Sequence, residues 1–201
     1  MIQNSLLYAL LFCAVFLLVI GGLELLVRKK ILSSDVSRRV SHTASGLFAI
    51  FIALHFSPAI FLLCNGGLLL FIVASYSRTL LHSVHTVQRT TYGEIFLPLG
   101  IFITYLLWHE NIAVFAVAIL IVTFADAAAG IIGDIRQNQR ASRLGSIAFF
   151  ATAFIIMLVF GHTIPTSLMV AFIISVVEKV SPYGSDNLTI PIATAVLLSS
   201  L

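Results

Sequence analysis

Asp126 is the residue of this 201-residue chain whose chemistry most needs an explanation. It lies in an apolar stretch, and a charged side chain near the centre of a bilayer costs about 2.5–3.5 kcal/mol on insertion scales. On a helix with about 3.6 residues per turn, Ala129, Gly130 and Gly133 lie on the same side as Asp126. The carboxylate is therefore expected within a stripe of small residues, where a neighbouring helix or a bulky ligand can approach the backbone closely.

A second group of acidic and amide side chains surrounds a predicted turn near the C-terminus. Glu178 ends an apolar segment, residues 181–185 are typical of a turn, and Asp186 and Asn187 follow it. Mg²⁺ prefers a few carboxylates together with phosphate oxygens, so Glu178 and Asp186 are candidate metal ligands with Asp126. Capping of the last helix by Asp186 or Asn187 is the alternative interpretation.

Basic residues at the start of the second apolar segment have the spacing of a phosphate site. Arg38 and His42 are four residues apart, next to Arg39, and on a helix Arg38 and His42 project from one side. Two arginines and a histidine can bind a polyphosphate, because the guanidinium group matches pairs of phosphate oxygens. Anchoring of the helix at the membrane surface is the simpler alternative.

The composition indicates which elements must hold these residues in place. Hydrophobic residues make up 60% of the chain and charged residues only 9%, against about 25% charged in soluble proteins. We therefore expect an all-α polytopic membrane protein, with residues 1–201 as one transmembrane domain. Topology explains the net charge of +3, and no nucleic-acid-binding pattern is present. Cys13 and Cys64 both lie in apolar segments, so neither a disulfide framework nor a cysteine zinc site is expected.

Apolar segments predict a bundle of seven or eight transmembrane helices, and we favour eight. The first segment is followed by three basic residues, the reverse of the order in a cleaved signal peptide, so we expect it to be retained. The predicted segments cover approximately residues 5–27, 40–57, 58–74, 93–109, 111–132, 145–161, 164–180 and 188–201.

Charged residues are distributed very unevenly over the predicted loops. With eight helices, all 11 Lys and Arg residues fall on one face, which the positive-inside rule assigns to the cytoplasm, so both termini are expected outside. All but one of the 8 acidic residues accompany them, although topology alone requires no acids. Mixed charge on one face indicates a cytoplasmic site that handles phosphates and a metal ion.

Five sequence elements carry a resemblance to a known family. They are RRVSHTASG, YGEIFLPLG, ADAAAGIIGD, RLGSIAFF and EKVSPYGSDNLTIP, and the resemblance spans about residues 24–191. Together they resemble the CTP-dependent dolichol and phytol kinases, a family of membrane lipid-alcohol kinases that borders on membrane cytidylyltransferases. The DNLTIP and D-x-x-A-G-x-x-G elements are the most specific. The resemblance implies a CTP site that faces the cytosol, a divalent metal such as Mg²⁺, and a long-chain alcohol such as a polyprenol between helices.

The resemblance also implies which positions form the site. The nucleotide would bind to Arg39, Gly130, Gly145, Ser146 and Asn187, and catalysis or metal binding would involve His42, Asp126, Glu178 and Asp186. Arg38 is a further candidate nucleotide ligand because of its spacing from His42. Family members usually have a lysine four residues before the Gly-Ser pair and often an acid just before that pair. This chain has Ala141 and Leu144 at these places, and we expect Arg140 or Arg143 to supply the positive charge.

The predicted function is transfer of the γ-phosphoryl group of CTP to a lipid alcohol at the cytoplasmic face. Carboxylates of Asp126, Asp186 and Glu178 would hold the metal, while Arg39 and a loop arginine bind phosphate oxygens. Either His42 or one of the carboxylates receives the hydroxyl proton. A membrane cytidylyltransferase, a transporter or lipid flippase, and an inactive family member that acts as a membrane partner are the alternatives. The sequence specifies neither the alcohol nor the oligomeric state.

Overall fold

The structure, a computed structural model, describes residues 2–78, 92–135 and 143–201. These residues are helical, which confirms the all-α prediction. The helices are α1 (Ile2–Arg28), α2 (Ser34–His55), α3 (Pro58–Arg78), α4 (Gly93–Trp108), α5 (Ile112–Leu120), the π turn (Ile121–Ala125), α6 (Asp126–Ile135), α7 (Arg143–Val159), α8 (Ile164–Val180) and α9 (Asp186–Ser199). Because α5, the π turn and α6 are continuous, the described residues form eight rods.

Three of the described helices are long and apolar enough to cross a membrane. Their spanning stretches are Ser5–Arg28, Pro58–Ser75 and Ile112–Ile132, while α4, α7 and α9 are shorter apolar helices. About 20 residues span the hydrocarbon core without tilt. The structure therefore supports a membrane protein, and passage of all eight rods through the bilayer stays a prediction.

Helix α2 begins earlier than its apolar character predicts. Its N-cap is Ser33, whose hydroxyl accepts a hydrogen bond from the backbone N–H of Val36 at 3.3 Å. Asp35 lies in the first turn, where a carboxylate is favourable near the positive end of the helix dipole. The predicted start near residue 40 was wrong, because the polar first turns are stabilised by the cap rather than by burial. Arg38 and Arg39 consequently lie on the helix and have defined directions.

The rod that contains Asp126 is interrupted by the π turn, immediately before this residue. A π turn adds a residue to one turn of a helix and disturbs its hydrogen-bond ladder, and such turns are frequent at functional sites. Four of the five residues of the turn are buried, and Thr123 packs so closely on Gly46 of α2 that a Cβ at residue 46 would overlap the threonine hydroxyl. The glycine thus allows α2 and the π turn to approach each other directly.

Three aromatic rings pack together at the end of the bundle where α4 ends and α5 begins. The ring of Phe61 is stacked on Tyr105 with centroids 3.6 Å apart, and Phe115 meets these rings edge to face at 5.7 and 5.2 Å. These rings are almost fully buried. We call these three residues the aromatic cluster; it joins α3, α4 and α5.

Contact between α4 and α9 is also made possible by a glycine. A Cβ at Gly100 would overlap the carbonyl oxygen of Asn187 and would approach the Cα of Leu188 to 3.1 Å. The backbones of the two helices therefore touch at this point, which brings the first turn of α9 against α4. The polar N-terminal turn of α9 is positioned by this contact.

Helix α1 lies at the periphery and is held by rings and thiols. Phe16 stacks on Phe48 of α2 at 4.5 Å, and Phe12 stacks on Phe51 at 4.2 Å. The two free cysteines of the chain, on α1 and α3, are hydrogen-bonded to each other. Sequence separation did not indicate this pairing, which arises because α1 packs on α3 as well as on α2.

Candidate functional site

Helix α2 presents His42 to the rod that contains Asp126. The Nε2 atom of His42 lies 3.3 Å from the carbonyl oxygen of Val122 in the π turn. A carbonyl oxygen only accepts, so this nitrogen carries the proton and donates it. The other ring nitrogen, Nδ1, lies 3.9 Å from Oδ2 of Asp126. The ring is thus oriented by the π turn, with Nδ1 directed towards the carboxylate.

The two arginines of α2 act on the same carboxylate from different positions. Arg39 donates a hydrogen bond from its guanidinium group to the carbonyl oxygen of Gly130 at 3.0 Å. Both Arg38 and Arg39 are close enough to Asp126 for a favourable electrostatic interaction. Burial of a carboxylate in an apolar bundle requires such compensation. A guanidinium pair beside a partly exposed carboxylate can also receive an anionic ligand.

Gly130 lies against the side chain of Arg39. A Cβ at this position would lie 3.2 Å from Nε of Arg39, a tight contact. The approach of a bulky ligand to the stripe of small residues stays a prediction. The absence of a side chain at Gly130 lets Arg39 lie flat on α6.

The three predicted metal ligands, on α6, α9 and the end of α8, interact electrostatically. The charge of Glu178 interacts unfavourably with those of Asp186 and Asp126, and Asp186 also interacts with Asp126 and favourably with His42. Sixty residues separate the two aspartates along the chain. Like charges in a partly buried place are stable only with a proton or a cation among them. Asp126, Asp186 and Glu178 therefore lie within electrostatic range of one another.

The alternative that Asp186 or Asn187 caps the last helix is only partly consistent with the structure. Ser185 occupies the N-cap position without a side-chain cap bond, and Asp186 is the first residue of α9. The carboxylate interacts with the backbone N–H of Asn187. Its Oδ1 atom is nevertheless buried and has no hydrogen-bond partner among the described residues. One oxygen of Asp186 is therefore available to a ligand.

Asn187 is held between α9 and the start of α4. Its side-chain nitrogen donates to the carbonyl oxygen of Gly93 at 3.4 Å, and the backbone N–H of Tyr92 donates to the carbonyl oxygen of Tyr183 at 3.0 Å. The side-chain oxygen of Asn187 is buried without a partner in the described part of the chain. These bonds fix the turn before α9 and leave one polar atom directed away from them.

The remaining predicted nucleotide ligands lie around the start of α7. Arg143 is its exposed first residue, Gly145 is buried and Ser146 is partly buried, and α7 packs against α6 and the π turn. Arg140 lies outside the described residues. The described part of this region therefore places the Gly-Ser pair on a helix that adjoins α6, as a phosphate site next to Arg39 requires.

The carboxylates of Asp186 and Glu178 could supply part of the ligands of a divalent cation. Over the described residues, no group of three or more His, Cys, Asp or Glu side chains has the arrangement of a metal site. Mg²⁺ commonly uses only one or two carboxylates and takes its other ligands from phosphate and water. The buried, unpartnered oxygens Oδ1 of Asp186 and Oε2 of Glu178 fit that mode of binding. The described residues do not form a metal site made of protein ligands alone.

A cavity that the sequence did not indicate adjoins the polar residues. It lies between α1, α2, α3 and α4, has a volume of about 90 Å³ and reaches Arg38, His42, Glu94 and Asn187. We call it the α1–α4 cavity. Its lining also includes Asn65, a residue of α3 that is only 5% exposed. The sequence signal for this cavity was an asparagine inside the apolar segment 58–74, because buried amides in membranes generally have a function or a partner.

Comparisons of the chain with protein-family models, with curated proteins and with solved structures found no match. The resemblance to lipid-alcohol kinases accordingly stays a prediction from the five sequence elements. The geometry described above is independent of that resemblance.

Proposed function

We propose that this protein is an integral membrane kinase that transfers the γ-phosphoryl group of CTP to a long-chain lipid alcohol. One observation carries the proposal. Six charged or titratable residues from four separate helices interact electrostatically next to a cavity that is lined mainly by apolar side chains: Arg38, Arg39, His42, Asp126, Glu178 and Asp186. Cationic groups for phosphates, carboxylates for a metal and an apolar space for a chain are the three requirements of such a transfer.

The arginines supply the anion-binding part of this site. Arg39 is hydrogen-bonded to Gly130 and interacts electrostatically with Asp126, and nucleotide phosphates would replace these partners with more strongly anionic ones. Gly145 and Ser146 lie at the start of a helix that packs on α6. Backbone N–H groups at such a position are suited to phosphate oxygens. The nucleotide is therefore assigned to the α6 and α7 side of Asp126.

His42 is the proposed acceptor of the hydroxyl proton. Since Nε2 donates to Val122, the neutral ring has its free lone pair on Nδ1, beside Asp126. The alcohol oxygen forms a bond to the γ-phosphorus, the bond from that phosphorus to the bridging oxygen breaks, and CDP leaves with the electron pair. The hydroxyl proton passes to Nδ1, and the adjacent carboxylate stabilises the imidazolium ion that results.

Asp186, Glu178 and Asp126 are the groups that would hold Mg²⁺. The unpartnered oxygens of Asp186 and Glu178 are available to it, and the ion, when bound, neutralises charge on the transferring phosphoryl group. The carboxylate of Asp126 in turn interacts favourably with Arg38 and Arg39, the proposed phosphate-binding residues. Their mutual repulsion is relieved whenever a cation is present, which favours binding of the metal and nucleotide together.

The orientation of the site follows from the distribution of charge in the sequence. All 11 Lys and Arg residues fall on the face of the predicted loops that carries the site, which assigns it to the cytoplasm and both termini to the other side. In this orientation CTP binds from the cytosol. The lipid alcohol enters from the membrane.

Labelled nucleotide supplied to the purified protein tests the proposal. With γ-³²P CTP, Mg²⁺ and a polyprenol in detergent micelles, we expect radioactive phosphate in the organic phase, and none with Asp126→Asn. Phe124→Leu, at an exposed apolar position two residues away, is the matched control and should retain activity. Label in lipid from α-³²P CTP would indicate a cytidylyltransferase instead. Absence of both products in a folded protein would favour a transporter or an inactive family member.

A further inference from the structure

The α1–α4 cavity changes from polar to apolar along its length. Arg38 and His42 line one end and Phe48 lines the wall further along the same helix. Ten residues of α-helix correspond to about 15 Å, so the distance from Arg38 to Phe48 is of that order. On α4, the lining likewise changes from Glu94 to Ile101. The cavity therefore matches a molecule with a polar head and an apolar body.

The two arginines divide the site between this cavity and the opposite side. Arg38 lines the α1–α4 cavity, whereas Arg39 is bonded to Gly130 on α6. His42 also lines the cavity and reaches towards Asp126. The reacting groups thus lie between an amphiphilic cavity on one side and the α6 and α7 side, to which the nucleotide is assigned, on the other.

We propose that the α1–α4 cavity holds the first part of the hydrocarbon chain of the lipid alcohol, with the hydroxyl group at His42 and Arg38. This inference rests on the proposed function and places the chain away from the stripe of small residues at 126–133. The hydroxyl then lies beside Nδ1 of His42, where its proton is removed. The chain lies among the side chains of α1, α3 and α4, and the remainder of a long chain extends into the bilayer beside α1, the most peripheral helix.

The test uses one helix for both the variant and its control. Leu68→Trp fills the cavity from α3, and Leu70→Trp adds the same bulk at a position that is 71% exposed on the outer surface of that helix. With purified full-length protein, we expect Leu68→Trp to raise the KM for a prenyl alcohol at least tenfold while the KM for CTP changes less than twofold. Leu70→Trp should leave both values unchanged. Equal effects of the two variants on the alcohol KM would overturn the inference.

A binding measurement keeps the inference testable if Leu68→Trp does not fold or if no transfer is detected. A long-chain alcohol with a diazirine close to its hydroxyl end is photolysed with the wild-type protein without nucleotide, and labelled peptides are identified by mass spectrometry. We expect labels within residues 16–20, 65–72 and 97–101, with competition by unlabelled alcohol. Labels confined to residues 126–133 or to the outer surface would refute the inference. Competed cavity labels in a protein without phosphotransfer would refute the proposed function alone.

Discussion

The two ends of the helical bundle use buried side chains in opposite ways. At the aromatic cluster, Phe61, Tyr105 and Phe115 fill space with stacked and edge-on rings and are almost fully buried. At the site, buried oxygens of Asp186 and Glu178 have no hydrogen-bond partners among the residues described. Packing of that first kind supplies stability in a membrane, whereas unsatisfied polar atoms consume it.

This difference separates side chains that contribute to stability from polar side chains whose burial is costly. A bundle optimised only for stability would replace the acids by apolar residues, because repulsion and desolvation both oppose their burial. Their presence is consistent with a cation and an anion that bind among them. Substitutions at the two ends should therefore separate into effects on activity and effects on unfolding.

The largest expected effect is on activity at the site. Asp126→Asn and Asp186→Asn should each reduce CTP-dependent transfer by about a hundredfold or more, because each removes a charge that the transition state needs. The double variant should be scarcely worse, since residues that act as a unit show non-additive losses. Initial rates with γ-labelled CTP at saturating and limiting Mg²⁺ measure this. Full activity of Asp186→Asn at limiting Mg²⁺ would leave Asp186 with a structural role at the start of α9.

A truncation in the aromatic cluster should show the converse pattern. Phe61→Ala removes the ring stacked on Tyr105 and should lower the free energy of unfolding by about 2 kcal/mol. This is less than in a water-soluble core, because the unfolded chain in lipid keeps its apolar side chains out of water. Thermal unfolding in detergent measures the loss, and the rate per folded molecule should remain within about twofold. A large loss of that rate without loss of stability would contradict the separation of the two ends.

A smaller effect should follow from separation of α4 and α9. Gly100→Ala places a methyl group against the carbonyl of Asn187, so the first turn of α9 must move away from α4. We expect transfer to fall by about tenfold, since a small displacement of a positioned group is costly in catalysis. Gly67→Ala, where a Cβ has no neighbour within 4 Å, is the control. Equal activities of the two variants would show that the position of Asp186 is not critical.

The smallest effect is expected at Gly130. Gly130→Ala brings a methyl group to 3.2 Å from the guanidinium of Arg39, which can move by a few tenths of an ångström. Because Arg39 is assigned to the nucleotide, the KM for CTP should rise several-fold while the KM for the alcohol stays within about twofold. Steady-state kinetics with each substrate varied in turn measure both values. A rise only in the KM for the alcohol would place the lipid chain at this glycine.

The sequence was sufficient to predict the fold class and to identify the residues that could take part in chemistry. Long apolar segments can satisfy their backbone groups in a membrane only as helices, so an all-α bundle follows from local composition. Isolated acids such as Asp126 were conspicuous because their burial is costly. The start of α2 was less predictable, since a cap at Ser33 rather than burial determined it.

Tertiary structure alone decided which of these residues meet. Helix periodicity places Asp126 on a stripe of small residues, but it does not specify that Arg39 covers Gly130 or that His42 binds the π turn. The π turn changes the helical register, so residues before it face a different direction relative to Asp126 than a regular α-helix would give. No local sequence pattern predicted this turn. The α1–α4 cavity arises between four helices. Its shape depends on interhelical contacts across residues far apart in the chain, and such contacts are set by packing rather than by local sequence.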